Sequence, residues 1–161
     1  IGKENEGWAA LMTALASERV LIGAAVMRTH RAFDRLLTLL RANPEAVTPR
    51  RRGSYSSEIG RLAVGLQAAR ALVNRAVREI ASGESGSAPM AKIAATEMSE
   101  DLNATAVGLL GPDSLYQWGV DGASGDGYFE DGLRVSMMGV IAGGTGDIQR
   151  NMVARTIGLP K

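Results

Sequence analysis

One carboxylate and one glycine run carry most of the chemistry open to this sequence. Glu18 lies between Leu11 and Ile22 in a helical pattern. At about 100° per residue it sits about 20° from Leu11 and about 40° from Ile22, inside an apolar stripe. A carboxylate in such a place is expensive to ionise, and one whose pKa is raised by burial is a usable general base. The same placement suits a buried ion pair with Arg134, Arg150 or the neighbourhood of Arg19, or a helix bend that brings Glu18 to water. Near the other end, Gly143-Gly144-Thr145-Gly146-Asp147-Ile148-Gln149-Arg150 leads paired glycines into a helix start. Such glycines let a ligand approach the backbone closely, and the first N–H groups of a helix beginning near Thr145 point at any anion placed there. The two features offer proton abstraction and stabilisation of negative charge, although the same glycines also suit a plain turn.

Other chemistries are short of residues. His30 is the single histidine and there is no cysteine, so neither a His-His metal pair, a thiolate site nor a Ser-His-Asp triad can be assembled. His30 stands between Arg28 and Arg31 on a polar face, where solvent exposure is expected. Glu97, Glu100 and Asp101 fall at helical spacing but lack the histidines of a di-iron bundle, and no metal is expected. Met137 and Met138 read as core fillers, and Trp8 and Trp118 as packing anchors. A net charge of +1 argues against nucleic acid, which calls for a clustered basic surplus. The one basic cluster, Arg50-Arg51-Arg52, reads as a solvated interhelical loop or as a phosphate contact to a nucleotide or coenzyme A.

The elements that must position these residues are helices. Trp8, Leu11, Leu15, Ile22, Val26, Phe33, Leu37 and Leu40 recur at helical spacing until Asn43-Pro44 ends a long first helix. Ile59, Leu62, Leu66, Ala69, Val73, Ala76 and Ile80 mark a second, stopped by Ser82-Gly83-Glu84-Ser85-Gly86. Met90, Ile93, Ala94, Met98, Leu102, Ala106 and Leu109 mark a third, broken at Gly111-Pro112. The glycine-rich stretch 119–127 reads as an irregular loop. Phe129, Leu133, Met137 and Ile141 give a fourth helix, and Ile148, Met152, Val153 and Ile157 a short last one. No stretch alternates like a strand. The expected fold is all-α: an antiparallel bundle of four long helices and a short C-terminal one, with Ala24, Ala25, Gly60, Gly65, Ala68, Ala95 and Gly108 allowing close helix approach. The 161 residues make about one domain, 45% hydrophobic, without a signal segment or a run long enough for a membrane span. The chain therefore reads as cytoplasmic and, beginning at Ile1, as a piece of a longer protein.

The ending, from Gly143 through Asn151 with Ala154-Arg155 and Gly158-Leu159-Pro160, resembles the C-terminal signature of acyl-CoA dehydrogenases. The opening agrees: Gly2-Lys3-Glu4-Asn5-Glu6-Gly7-Trp8, then Leu15 and Glu18-Arg19, is similar to the junction and first helix of that family's C-terminal helical domain. The resemblance implies an interdomain linker over 1–7 and the C-terminal bundle over 8–161, with the family's N-terminal helical and middle β domains absent. It implies FAD as cofactor, an acyl-CoA thioester as substrate and α,β-desaturation as reaction. A carboxylate takes the α-proton, the β-hydrogen leaves as hydride to the flavin, and a backbone N–H of the glycine loop polarises the thioester carbonyl. The 161 residues alone are expected to be inactive and free of flavin, because the missing domains build most of the pocket. They should still form a homo- or hetero-oligomer, since this bundle is the family's assembly core.

Position by position, the resemblance is discriminating. Many members carry the base immediately before the Gly-Thr of the terminal motif, where this chain has Gly143. Members similar to isovaleryl-CoA dehydrogenase carry it on the first helix before an arginine, which here is Glu18 before Arg19. Glu18 is thus the implied base, Gly143 keeps only a backbone role, and Gly144, Thr145 and Asp147 fall at the loop that meets the flavin nucleotide. Two family segments are degraded: Arg-x-x-Phe-Gly stands here as Pro49-Arg50-Arg51-Arg52-Gly53-Ser54-Tyr55, and Gln-x-x-Gly-Gly as Gly108-Leu109-Leu110-Gly111-Pro112-Asp113. That pattern resembles subunits of heterotetrameric acyl-CoA dehydrogenases of sterol or bulky-acyl catabolism. The alternatives are a catalytically silent structural subunit and a helical association module without flavin.

Overall fold

The structure, a computed structural model, describes residues 3–7, 10–11, 21–84 and 86–159. Among them are five α-helices, α1 Leu21–Ala42, α2 Tyr55–Ala81, α3 Ala88–Leu110, α4 Tyr128–Ile141 and α5 Gly146–Thr156, and no strand. The all-helical architecture expected from periodicity is the one that forms. Its stops are the expected ones. α1 ends before Asn43-Pro44, and α2 ends at Ser82, followed by Gly83 at φ +83°. α3 ends at Gly111, whose φ of +80° favours glycine; a Cβ there would also lie 2.7 Å from the Thr48 methyl.

α3 is the centre of the bundle and packs against all four other helices. A helix covered on most sides must be apolar or small on most sides, and only Glu97 and Ala104 of α3 are exposed. α3 accordingly buries Ala88, Ala91, Ala95, Met98, Leu102, Ala106, Leu109 and Leu110, and with them the polar Lys92 and Asn103. The single stripe expected for this helix omits Ala91 and Ala95, which belong to the second face. Around it, Leu36 of α1, Leu62 and Leu66 of α2, Leu102 and Leu109 of α3 and Phe129 of α4 form the principal core. Each such side chain contributes on the order of 1.5–3 kcal/mol by leaving water. Towards the other end the core changes to small residues, Val26, Val73, Ala76, Ala88, Ala91 and Ala95.

Several expectations are corrected. The buried face of α1 runs through Val26, Thr29, Ala32, Leu36 and Leu40, so Leu36 takes the place assigned to Leu37, and Leu11 is 47% exposed. Of the small residues expected at helix contacts, Ala95 is buried and Gly65 faces Met98, whereas Ala24, Gly60 and Ala68 are exposed. Met137, Met138 and Ile141 are exposed, and α4 buries Phe129 and Ser136 instead. Trp118 is no anchor, at 83% exposure; Trp8 lies outside the described residues. His30 is half-buried, with Nε2 shielded and without a hydrogen-bond partner among the described residues, and not solvent-exposed as expected.

The connections use specific contacts. In the 112–127 segment, Arg35 of α1 donates to the Gly125 carbonyl (3.3 Å) and to Asp126 (2.9 Å), and stacks over Tyr128 (4.8 Å). Gly127, at φ +71°, lets the chain pass Trp118, whose N would stand 2.3 Å from a Cβ. Between α2 and α3, Glu79 does the work of an N-cap: its carboxylate accepts from the Ser87 hydroxyl (2.6 Å) and N–H (2.7 Å), and from Arg75 (2.7 Å). These donors, the Ser87 hydroxyl first and Arg75 next, lower the Glu79 pKa from 4.5 to about 2.

Two outcomes are expected. A Cβ on Gly132 would stand 2.2 Å from the Asn103 Oδ1, whereas one on Gly60 meets nothing within 4 Å. Gly132→Ala should therefore lose about 1–3 kcal/mol in denaturant unfolding, and Gly60→Ala should gain about 0.5–1 kcal/mol. Because the Glu79 pKa is depressed in the folded state, its contribution is full above the unfolded value and is lost as pH falls from 4.5 towards about 2. Thermal midpoints of Glu79→Gln should thus fall below wild type at neutral pH and converge with it in that acid window.

Candidate functional site

The glycine loop is built by the end of one helix and the start of the next. α4 stops at Ile141, Ala142 turns extended (ψ 148°), and Gly143 and Gly144 follow at φ +67° and +95°. Thr145 is the N-cap of α5, with no side-chain capping bond, and the Gln149 N–H closes the first turn on the Thr145 carbonyl at 3.0 Å. The Gly143 N–H has no hydrogen-bond partner among the described residues, whereas the Gly144 N–H points back at the end of α4 across the turn over Ala142 and Gly143. With the α5 N-terminus the Gly143 N–H gives a local surplus of donors, suited to an anion or a developing oxyanion. Thr145 is exposed, and the Asp147 side chain is 94% exposed, 3.8 Å from Arg150.

Neighbouring elements fix this loop. Gln149, 4% exposed, donates from Nε2 to the Gly143 carbonyl at 2.8 Å. Lys92 of α3, 6% exposed, donates from Nζ to the Val140 carbonyl in the last turn of α4 at 3.0 Å. An ammonium at a helix C-terminus meets both an orphan carbonyl and the negative end of the dipole. Arg150 reaches back to Glu97 of α3 at 2.5 Å.

The structure therefore brings Gly143, Gly144, Thr145 and Asp147 together in one loop. Glu18 lies outside the described residues. The two arginines named as ion-pair alternatives for it are engaged elsewhere: Arg134 with Glu130 and Asp131, Arg150 with Glu97. The acidic group of α3 is also paired in part, Glu97 with Arg150 and Asp101 with Arg61. No group of three metal-ligating side chains occurs among the described residues. Lys92 and Gln149 were not singled out from sequence. Lys92 had a signal, being a lone cation inside the apolar run 88–95, whereas Gln149 sits one residue beyond the position where a capping side chain is expected.

Two further hollows are present. One, of about 250 Å³, lies between α1, α3 and α4 and is lined by Thr29, Thr96, Asn103 and Ser136 among others. The donor groups of these four bond carbonyls of their own helices, at Ala25, Lys92, Ser99 and Leu133. The other, of about 540 Å³, is lined by Thr48, Arg50, Arg51 and Gly108. There Arg51 pairs with Glu58 and Arg52 with Glu45, leaving Arg50 without an ion-pair partner among the described residues.

The chain belongs to the acyl-CoA dehydrogenase family: residues 5–158 match the acyl-CoA dehydrogenase C-terminal domain. Among solved structures, the steroid ACAD Tcur3481-Tcur3483 is similar at 26% identity and a TM-score of 0.86, over 99% of this chain and 41% of that one. Two others share the fold. Butyryl-CoA dehydrogenase from Megasphaera elsdenii does so at 21% identity and a TM-score of 0.76, over 97% of this chain and 40% of that one. An FAD-dependent dehydrogenase does so at 19% identity and a TM-score of 0.84, over 99% and 42%. The chain thus spans about two fifths of the length of these structures. No curated protein sequence matches it. No helix among the described residues is long and apolar enough to cross a membrane.

The loop's dependence on glycine is testable. At Gly144 a side chain would meet φ +95° and stand 3.0 Å from the Gln149 Nε2. Gly144→Ala should lower stability by about 1–2 kcal/mol from the left-handed backbone alone, read by chemical denaturation.

Proposed function

We propose that this chain is the C-terminal helical domain of a flavin-dependent acyl-CoA dehydrogenase that introduces an α,β double bond into an acyl-CoA thioester, with Glu18 as base. The observation that carries the reading is the family match together with a glycine loop whose carbonyl is held by Gln149 and whose Gly143 N–H has no partner among the described residues. Gly143 has no side chain with which to take a proton. The Glu18-Arg19 pair supplies the carboxylate, at the sequence position used by the isovaleryl-type members. Leu11, one of the residues that defined the apolar stripe of Glu18, is not covered by this bundle. That suits a face completed by the preceding domains of a longer protein.

The residues of the loop fit a flavin nucleotide. Among the described residues the exposed Thr145 hydroxyl makes no hydrogen bond and the Gly143 N–H has no partner, and the start of α5 favours negative charge. Gly144, Thr145 and Asp147 would hold the cofactor. Bound there, FAD supplies the acceptor for the β-hydrogen, which leaves as hydride. The chain's own task is the α-proton. A loop N–H donating to the thioester oxygen stabilises the charge that develops as the α C–H bond breaks, and Glu18 receives the proton.

A second reading is favoured by the Arg50–Arg52 segment, in which two of the three guanidiniums are consumed by Glu45 and Glu58. On it, the chain is one subunit of a heteromeric enzyme of bulky-acyl or sterol catabolism, with flavin sites shared unequally; the similar steroid ACAD is itself named for two polypeptides. Assembly through this bundle, with copies of itself or with such a partner, belongs to both readings, and the exposed Met137, Met138, Ile141 and Ile148 suit it.

Anaerobic mixing of the full-length protein with acyl-CoA thioesters should bleach its flavin and yield the enoyl-CoA. Glu18→Gln should slow that reduction by about 10²–10⁴-fold without loss of bound flavin. Reduction at the wild-type rate would remove Glu18 as base and leave the silent-subunit reading, while purified protein without flavin absorbance would leave only an association module.

A further inference from the structure

We infer that the hollow between α1, α3 and α4 receives the far end of the acyl group, and that Asn103 accepts a hydrogen bond there from a hydroxyl on it. The inference rests on the reading under Proposed function and adds to it the class of acyl group: long or bulky, largely apolar, and hydroxylated away from the thioester. The hollow measures about 250 Å³, and three helices line it with small residues, among them Ala25 and Ala32 of α1, Ala95 and Ser99 of α3, and Gly132 and Gly139 of α4. Protein interiors pack densely, so a space of this size calls for a reason. At Gly139 the fold supplies none. This glycine lies inside α4 without a positive φ, where it costs helix stability relative to alanine. Among the described residues a Cβ on it would meet only the Thr96 methyl, at an ordinary 3.7 Å. Backbone and neighbours would both accept a side chain at Gly139, and what its absence leaves is room.

Asn103 points to a ligand independently. It is 4% exposed, its Nδ2 donates to the Ser99 carbonyl at 2.7 Å, and its Oδ1 has no hydrogen-bond partner among the described residues. A buried acceptor without a donor costs free energy that a ligand's donor recovers. The Oδ1 stands in the notch that Gly132 leaves in the α4 wall, where a Cβ would come within 2.2 Å of it. The hydroxyls of Thr29, Thr96 and Ser136 already donate to carbonyls of their own helices, so they have no proton to offer a phosphate or carboxylate. The charged residues of the lining, Arg28 and Asp131, are exposed. Position ties the hollow to the reaction. Gly139 lies four residues before Gly143, which sets one end of the hollow beside the glycine loop. In the long first helix expected from periodicity, Glu18 stands seven residues before Ala25 and eleven before Thr29, spacings that share one helical stripe. Gly132 is about 14 Å along α4 from Ile141, so a short acyl group cannot carry the hydroxyl to Asn103.

The test follows flavin bleaching in the full-length protein by butyryl-CoA, by palmitoyl-CoA, and by a series of terminally hydroxylated long-chain thioesters beside their plain counterparts. Wild type should favour palmitoyl-CoA over butyryl-CoA in kcat/KM and, at the matching chain length, the hydroxylated thioester over the plain one by about 3–10-fold. Gly139→Leu, which fills the hollow, should lower the ratio of long to short by about 10–100-fold. Gly139→Ala, which the fold accepts, should lower it by about 2–5-fold and keeps the test open if the leucine variant does not fold. Asn103→Ala should remove the preference for the hydroxyl and keep that for the long chain. An unchanged ratio in the Gly139 variants shows that the acyl chain does not enter the hollow. A loss equal for short and long thioesters, with loss of flavin or of assembly, marks a protein segment as the occupant. Either result overturns the inference and leaves the reading under Proposed function standing. A wild type indifferent to the hydroxyl at every chain length overturns the role of Asn103. Flavin bleached by none of these thioesters removes that reading, and the inference with it.

Discussion

Everything in this bundle follows from the central place of α3, which packs against all four other helices. Away from its narrow exposed strip at Glu97 and Ala104, each polar group it carries must be met by a neighbour or by its own backbone. Lys92 reaches the end of α4, and the Asn103 amide fits against the bare Cα of Gly132. Where α3 comes nearer to the surface, Asp101 pairs with Arg61 of α2 and Glu97 with Arg150 of α5. α3 thereby fixes where α4 stops and where α5 starts. The glycine loop between those two helices takes its position from α3 and from the Gln149 contact with the Gly143 carbonyl.

The pattern of helices was readable because breakers and periodicity agree. Asn43-Pro44, Gly83 and Gly111-Pro112 each combine a chain-stopping residue with the end of an apolar repeat, and each proved to be a boundary. Burial within helices was read less well where a helix meets more than one neighbour. A single stripe describes α2, which has one inner face, and there Leu62, Leu66, Ala69, Val73 and Ala76 are all buried. For α3 it misses Ala91 and Ala95, because alanine carries too little hydrophobicity to mark a face although it is what close packing demands. For α4 the apolar repeat misled: Met137 and Ile141 are apolar yet uncovered, so in this chain their hydrophobicity is not spent on the bundle core.

The candidate site was read unevenly for a similar reason. Paired glycines before a helix start are a local signal that marks Gly143, Gly144 and the helix start at Thr145, whereas Asp147 was singled out through the family resemblance. Gln149 and Lys92 act on that loop through tertiary contacts, Lys92 across 48 residues of sequence to Val140, and no spacing rule reports such a contact. The lone-cation clue at Lys92 signals only that a buried partner exists, not that the partner is the last turn of α4.

The absence of a side chain at Gly143 has a consequence for how charge is arranged. A carboxylate next to the loop donors would be attracted by them, and its negative charge would compete with any oxyanion for the same N–H groups. With glycine there, the carboxylate nearest the loop donors in sequence is Asp147, in the first turn of α5 and exposed. On the proposed reading, two tasks that many relatives place on one residue are divided between the two ends of the sequence, proton abstraction at Glu18 and carbonyl polarisation at the glycine loop. The two can then be perturbed independently, because no residue is shared between the carboxylate and the peptide groups that polarise the carbonyl.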